Sequence, residues 1–221
     1  TQNDIWTDDF EDGDITDWDT TQYLSGGAVW TITNPGSRTA DGGCSGTFLI
    51  VDDDDAGSGA TTSASAISPV IDLTPAGTNP VFLEFNQYYN NLSTDVCSLF
   101  IYDGSSWVLL DEYTADTSGL VRYDITAYAN ANFQVKFKYD DNSSWAWYWM
   151  IDNLRIYYIT YSTPAPSIVA DGPAGNIELR TSTGDIIFDG TGLKTSGGAG
   201  LIGYDNSTSG LTATDVQDAI D

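Results

Sequence analysis

Seven short apolar segments that alternate with period two constrain this chain more than any other feature. They are VWTIT at 29–33, FLIV at 48–51, VFLEF at 81–85, SLFIY at 98–102, FQVKFKY at 133–139, WAWYWMI at 145–151 and LRIYYI at 154–159. Clusters of Gly, Asn, Asp, Ser and Pro separate them. Successive side chains of a strand point to opposite faces, so such alternation marks sheets with one buried face. Many short strands at this spacing predict an all-β protein: an antiparallel β-sandwich, or jelly roll, rather than a parallel α/β sheet. The region spans residues 1–161, long enough to enclose a sizeable core.

At YSTPAPS, 161–167, the texture changes. Two prolines among small residues make a stiff, extended linker. Residues 162–200 form a Pro/Gly-rich linker and β stem, in which NIELR and DIIFDG alternate around a TSTG turn and predict a hairpin. A lone hairpin is hardly stable, and this one would expose Ile177, Leu179, Ile186 and Phe188. The last region, 201–221, ends on LTATDVQDAID. Thr212 can cap a helix with Asp215 three residues on, and Val216, Ala219 and Ile220 then form a narrow apolar stripe. So short a helix is marginal alone. Both C-terminal regions have an apolar face and nothing within the chain to bury it, and self-association around an axis is the simplest cure. A short C-terminal helix that serves oligomerisation is therefore expected. The chain opens on Thr1 and stops inside a helix pattern, so further residues are expected at either end.

Charge excludes several functions. The chain has 7 Lys+Arg against 32 Asp+Glu, a net charge of −25, and no histidine. Such a surface repels nucleic acid and anionic head groups and attracts divalent cations. No stretch is long and apolar enough to span a membrane, so no membrane insertion is expected. Without histidine there is no Ser-His-Asp or Cys-His machinery and no zinc site of the usual kind, and no carboxylate spacing suggests a glycosidase. The expectation is a protein that is not an enzyme. Cys44 and Cys97 either form one disulfide or remain two small buried hydrophobes.

Aromatic runs offer the candidate ligand contacts. Alternation through WAWYW places Trp145, Trp147 and Trp149 on one face. Indoles beside Asn and Asp make sugar-stacking platforms when exposed and core when not. Tyr88 and Tyr89 in NQYYNN carry the same two readings. Lys136 and Lys138 alternate with Val135 and Phe137, as decoration of an outer face.

These residues also carry resemblances. GLIGYDNSTSGLTATDVQDAID at 200–221 resembles a segment recurrent in bacteriophage tail and head fibre proteins, which are typically homotrimers. Residues 5–159 resemble the jelly-roll modules called choice-of-anchor J and cleaved-adhesin domains, relatives of MAM domains. DDFEDG, VDDDDAGSG, ISPVIDL, FNQYYN, YDITAYA and WAWYWMIDNLRI carry the likeness. That resemblance implies calcium at Asp9, Glu11 and Asp152, with one or more of Asp52, Asp53 and Asp54. Against it stands the plain reading of acids at strand ends as solvated turn formers. Together the resemblances imply a fibre or spike of a bacteriophage virion. Its jelly roll would meet a host cell-surface glycan or protein, its stem would trimerise, and other virion proteins would be partners. A secreted or cell-surface adhesin module and a purely structural capsid decoration are the alternatives.

Overall fold

The computed structural model describes residues 1–161, apart from Ser25 and Ser93, together with the backbone of two short strands further along. The chain divides into two compact units, Thr1–Ser162 and Thr163–Asp221. Ten antiparallel strands build the first: β1 (Gln2–Asp8), β2 (Asp19–Gln22), β3 (Leu49–Asp52), β4 (Ser63–Ile67), β5 (Val81–Asn90), β6 (Val96–Tyr102), β7 (Trp107–Tyr113), β8 (Thr117–Asp124), β9 (Gln134–Asp140) and β10 (Tyr148–Ile159). The first sheet runs β1-β10-β5-β8, with β3 also paired to β10, and the second runs β2-β4-β9-β6-β7. This is the antiparallel β-sandwich expected of the alternating segments.

The core lies between the sheets because alternation is strict where it matters. Along β5, Val81, Leu83, Phe85, Gln87 and Tyr89 are buried and their neighbours are not. Across the sandwich, Val135, Phe137 and Tyr139 of β9 do the same. Rings meet edge to face at the centre: Phe137 stands 5.1 Å from Phe85 and 5.5 Å from Trp149. A smaller apolar cluster of Cys44, Phe48, Ile50, Tyr148 and Met150 lies on the other side of the first sheet, under the loop that precedes β3.

Three local expectations change. VWTIT is not a strand; only Thr31 bridges Ile50 before Asn34, at φ +48°, turns the chain ahead of Pro35. WAWYWMI and LRIYYI belong largely to one strand, β10, interrupted by an irregularity between Asp152 and Arg155 where Asn153 takes φ +52°. β1, β2, β4, β7 and β8 carry no strong apolar alternation and form because partners with good alternation recruit them.

Cys44 and Cys97 are both free and buried, one in the outer cluster and one in the main core, which decides the cysteine question against a bridge. In the second unit, β11 (Val169–Ala170) pairs antiparallel with β12 (Ile177–Glu178). The expected partners Ile186 and Phe188, the side chains of Ile177 and Leu179, and the helix bearing Val216, Ala219 and Ile220 lie outside the described residues.

Candidate functional site

Two outer faces and one acidic corner are the places where this sandwich can meet a ligand. The acidic corner forms where β1 ends, the loop before β3 turns and β10 is irregular. Asp152 is 1% exposed, and its carboxylate accepts the backbone N–H groups of Ser45 and Asn153. Burial first, and then the charges of Glu11 and Asp9, push its pKa up to about 6. Glu11 accepts the N–H of Thr47 at 3.1 Å and lies flat against Gly46, where a Cβ would collide with its carboxylate. Asp9 turns back to accept the N–H of Glu11. The three carboxylates are therefore near enough to feel one another. Among the described residues, however, no three acid or thiol side chains close on a common point at ligating distance.

Asp52, Asp53 and Asp54 do not join that corner. Asp52 pairs with Tyr148 in the β3–β10 register, four residues along β10 from Asp152 and so about 13 Å away. Its carboxylate is instead gripped by Arg38, whose Nε and Nη2 donate to the two oxygens at 2.7 Å, while Nη2 also reaches Asp54 at 2.6 Å. Asp53 is buried, accepting from the Thr62 hydroxyl and the Ala146 N–H. These acids fix the short helix α1 (Asp53–Ala56) and the turn before β10 and are not free for a cation.

The predicted aromatic row divides. The strand begins only at Tyr148, so 145–147 does not alternate as expected, and β10 is then buried on both faces from Tyr148 to Asp152. Trp149 is 0% exposed and donates its indole N–H to Gln87 at 3.0 Å within the core. Tyr89 is 1% exposed and donates its hydroxyl to the Asp95 carbonyl. Both are core residues, which corrects their assignment as ligand contacts. Trp147 and Tyr88 are half-buried against Tyr148 on the outer face of the first sheet, with Arg38 4.7 Å above the Tyr148 ring. Trp145 is 50% exposed and stands alone.

The outer face of the second sheet holds an aromatic group that the sequence reading missed. Inward Leu99 and Ile101 force Phe100 and Tyr102 outward, and the register sets Phe100 beside Lys136 and Leu109, and Tyr102 opposite Trp107. The turn that aligns β7 is built locally. Gly104 takes φ +95°, a backbone state open to glycine. Asp103 accepts the N–H groups of Ser105 and Ser106, which lowers its pKa to about 2. Trp107 packs 5.4 Å from Tyr102. The Lys136 ammonium sits 4.5 Å from the Phe100 ring centre and 4.2 Å from that of Trp107. Partial burial, and then Lys138, lower its pKa. Lys138 is paired with Asp140 at 3.2 Å, but Lys136 has no carboxylate at ion-pair distance among the described residues. All three rings are half-buried, and Leu109 beside them is 49% exposed. Such a surface can stack an apolar ring face and offer a cation at its margin; it holds no nucleophile–base pair. A signal existed in the sequence, since SLFIY alternates and DGSS is a turn, but Trp107 fell outside the seven segments.

No protein-family model matches the chain, and neither does any curated protein sequence. Solved structures do match. The K3 cleaved adhesin domain of Lys-gingipain from Porphyromonas gingivalis has a TM-score of 0.51 at 14% identity, over 71% of this chain and 99% of that one. The K1 domain of the same protein has a TM-score of 0.50 at 16% identity, over 72% and 99%. Its K2 domain has a TM-score of 0.50 at 12% identity, over 70% and 98%. At these identities the likeness is one of fold: the first unit is a jelly-roll β-sandwich.

Proposed function

We propose that this chain is a virion fibre or spike protein of a bacteriophage, whose jelly-roll head attaches to a host-surface glycan. The observation that carries the binding role is the ring cluster of Phe100, Tyr102 and Trp107, left half-exposed beside Leu109 on the outer face of the second sheet. Pyranose rings present C–H faces that suit such rings and hydroxyls that suit polar neighbours. The role needs no chemical step, in keeping with a chain that lacks histidine. The fibre part of the reading is supported by the sequence resemblance of 200–221 and by the apolar faces of the stem, which call for identical partners. Three weak sites on one stem would gain avidity through effective concentration without any new contact. On this reading the protein works outside the cell. A secreted or cell-surface adhesin module would use the same head but has no need of a trimeric stem.

Calcium between Asp9, Glu11 and Asp152 belongs to the same proposal. It is supported by three neighbouring carboxylates from two segments far apart in the chain, one of them buried.

Two measurements test the reading. Trp107→Ala should abolish attachment of the protein to host cells while leaving its melting temperature nearly unchanged; full attachment by that variant would remove the second sheet from the site. Light scattering should give a trimer for the full chain and a monomer for a chain ending at Tyr161. A monomeric full chain would favour the adhesin module over the fibre.

A further inference from the structure

We infer that the ring face of the second sheet selects carboxylated glycans, with Lys136 as the residue that reads the acid. The inference rests on the glycan-binding reading and adds the chemical class of the sugar. Its starting point is an anomaly of charge. Acids outnumber bases 32 to 7 in this chain, so a basic side chain has carboxylates in abundance. Arg38, Lys138 and Arg155 take them, the arginines two each, whereas Arg122 has no ion pair among the described residues and lies 3.9 Å over the Phe82 ring. Lys136 takes none among the described residues and is held instead between two rings. Its strand position explains how. The register places Ile67 on one side of it and Phe100 on the other, so both cross-strand neighbours are apolar. An ammonium over ring faces gains from their quadrupoles but keeps its charge uncompensated. A carboxylate arriving with a ligand would complete it.

The alternative is that Lys136 merely covers the rings with its alkyl stem, as lysines commonly do. Two features favour recognition over cover. The ammonium, and not only the stem, lies at 4.2 Å and 4.5 Å from the ring centres, so the charge is inside the aromatic group. The rings it touches are the ones left accessible to a sugar. The net charge of −25 repels an acidic polymer at long range, but beyond about 8 Å that field is largely screened at physiological salt, and the nearest cation governs the bound state.

The test uses the full chain and paired probes: polygalacturonate, alginate, hyaluronate and polysialic acid, each with its methyl-esterified form. Titration calorimetry should find at least one acid bound about tenfold more tightly than its neutral ester, the scale of one hydrogen bond to a charged group. Lys136→Met should erase that difference and keep ester binding, Lys136→Arg should retain the preference, and Trp107→Ala should lose both forms. Binding of esters and acids with equal affinity through Trp107 would overturn the acid preference and leave the glycan reading standing. An acid preference that survives in Lys136→Met, with the variant melting as the parent does, would also overturn the role of Lys136. Failure of every probe to bind would overturn both.

Discussion

The two sheets of this sandwich treat their outer faces in opposite ways. The first sheet is covered over part of its outer face, although its β8 edge is open, with Leu120 65% exposed. The loop before β3 lies over β5 and β10, with Asn86 donating to the Gly43 carbonyl and Phe48 and Cys44 filling the space above Ile50 and Met150. Of its cations, Arg155 bridges Asp4 and Glu84 and Arg38 holds Asp52 and Asp54, while Arg122 lies 3.9 Å over the Phe82 ring without an ion pair among the described residues. The second sheet has no such lid among the described residues. Its rings stay half-exposed, and its Lys136 stays without a carboxylate. Aromatic residues are abundant on both faces, so abundance does not distinguish a binding face from a structural one. What distinguishes them is whether the chain itself supplies the covering layer.

The largest test of that contrast exchanges equivalent truncations. Trp149→Ala should cost about 3–5 kcal/mol in denaturant unfolding, because it empties the centre of the core. Trp107→Ala should cost less than about 1 kcal/mol, as truncations of accessible side chains do. Similar costs would mean that Trp107 is as buried as the core between the sheets.

Ion pairs on the first sheet should differ by depth. Arg38→Met leaves the Asp52 carboxylate, whose side chain is 0% exposed, without its cation, and should cost about 3 kcal/mol. Arg155→Met removes more exposed pairs and should cost at most about 1 kcal/mol. Urea titrations of the two variants decide it, and equal costs would break the claim that Arg38 locks the covered face.

Calcium should add about 2.7 kcal/mol at a hundredfold excess over its Kd if it closes the corner around Asp152. Thermal melts with calcium and with chelator measure this, and Asp152→Asn should remove the difference. A wild-type midpoint indifferent to calcium would refute the ion.

The smallest effect concerns carboxylates of opposite situation. Burial first raises the Asp53 pKa above its ordinary value of 3.8. Its contribution to stability is thus full below the unfolded pKa and lost as pH rises through the folded one, so the wild type should gain on Asp53→Asn as the solution is acidified. Asp103, in the turn that aligns Trp107, is lowered to about 2 by its backbone and hydroxyl donors. Its contribution is present above the unfolded pKa and fades as pH falls through about 2. The stability difference between the wild type and each Asn variant, followed against pH, should therefore slope in opposite senses for the two positions. Parallel curves would contradict the two assignments.

The fold was legible wherever one face of a strand is buried and the other is not. VFLEF and FQVKFKY alternate because β5 and β9 sit centrally, each between two partner strands, with solvent on one side. The same rule failed at WAWYW. There the strand begins only at Tyr148, leaving Trp145 and Trp147 outside it, and from Tyr148 it is buried on both faces, so period two carried no information about which indole is exposed. It failed again at WVLLDEY, where an irregularity in the pairing between Leu99 and Phe100 shifts the register of β7 and hides its alternation.

Of the acidic candidates, Asp9, Glu11 and Asp152 do come near one another, whereas Asp52 to Asp54 serve Arg38, Thr62 and the turn before β10. Composition cannot separate these sets, because a carboxylate's role depends on which distant donor the fold delivers to it. The sequence by itself determined the all-β class and the absence of histidine chemistry, since each follows from local pattern or inventory. Only the tertiary structure decided which aromatic residues are core, which acids are neutralised and that Lys136 lacks a carboxylate among the described residues, because each depends on what packs across the sheet from residues far away in the chain.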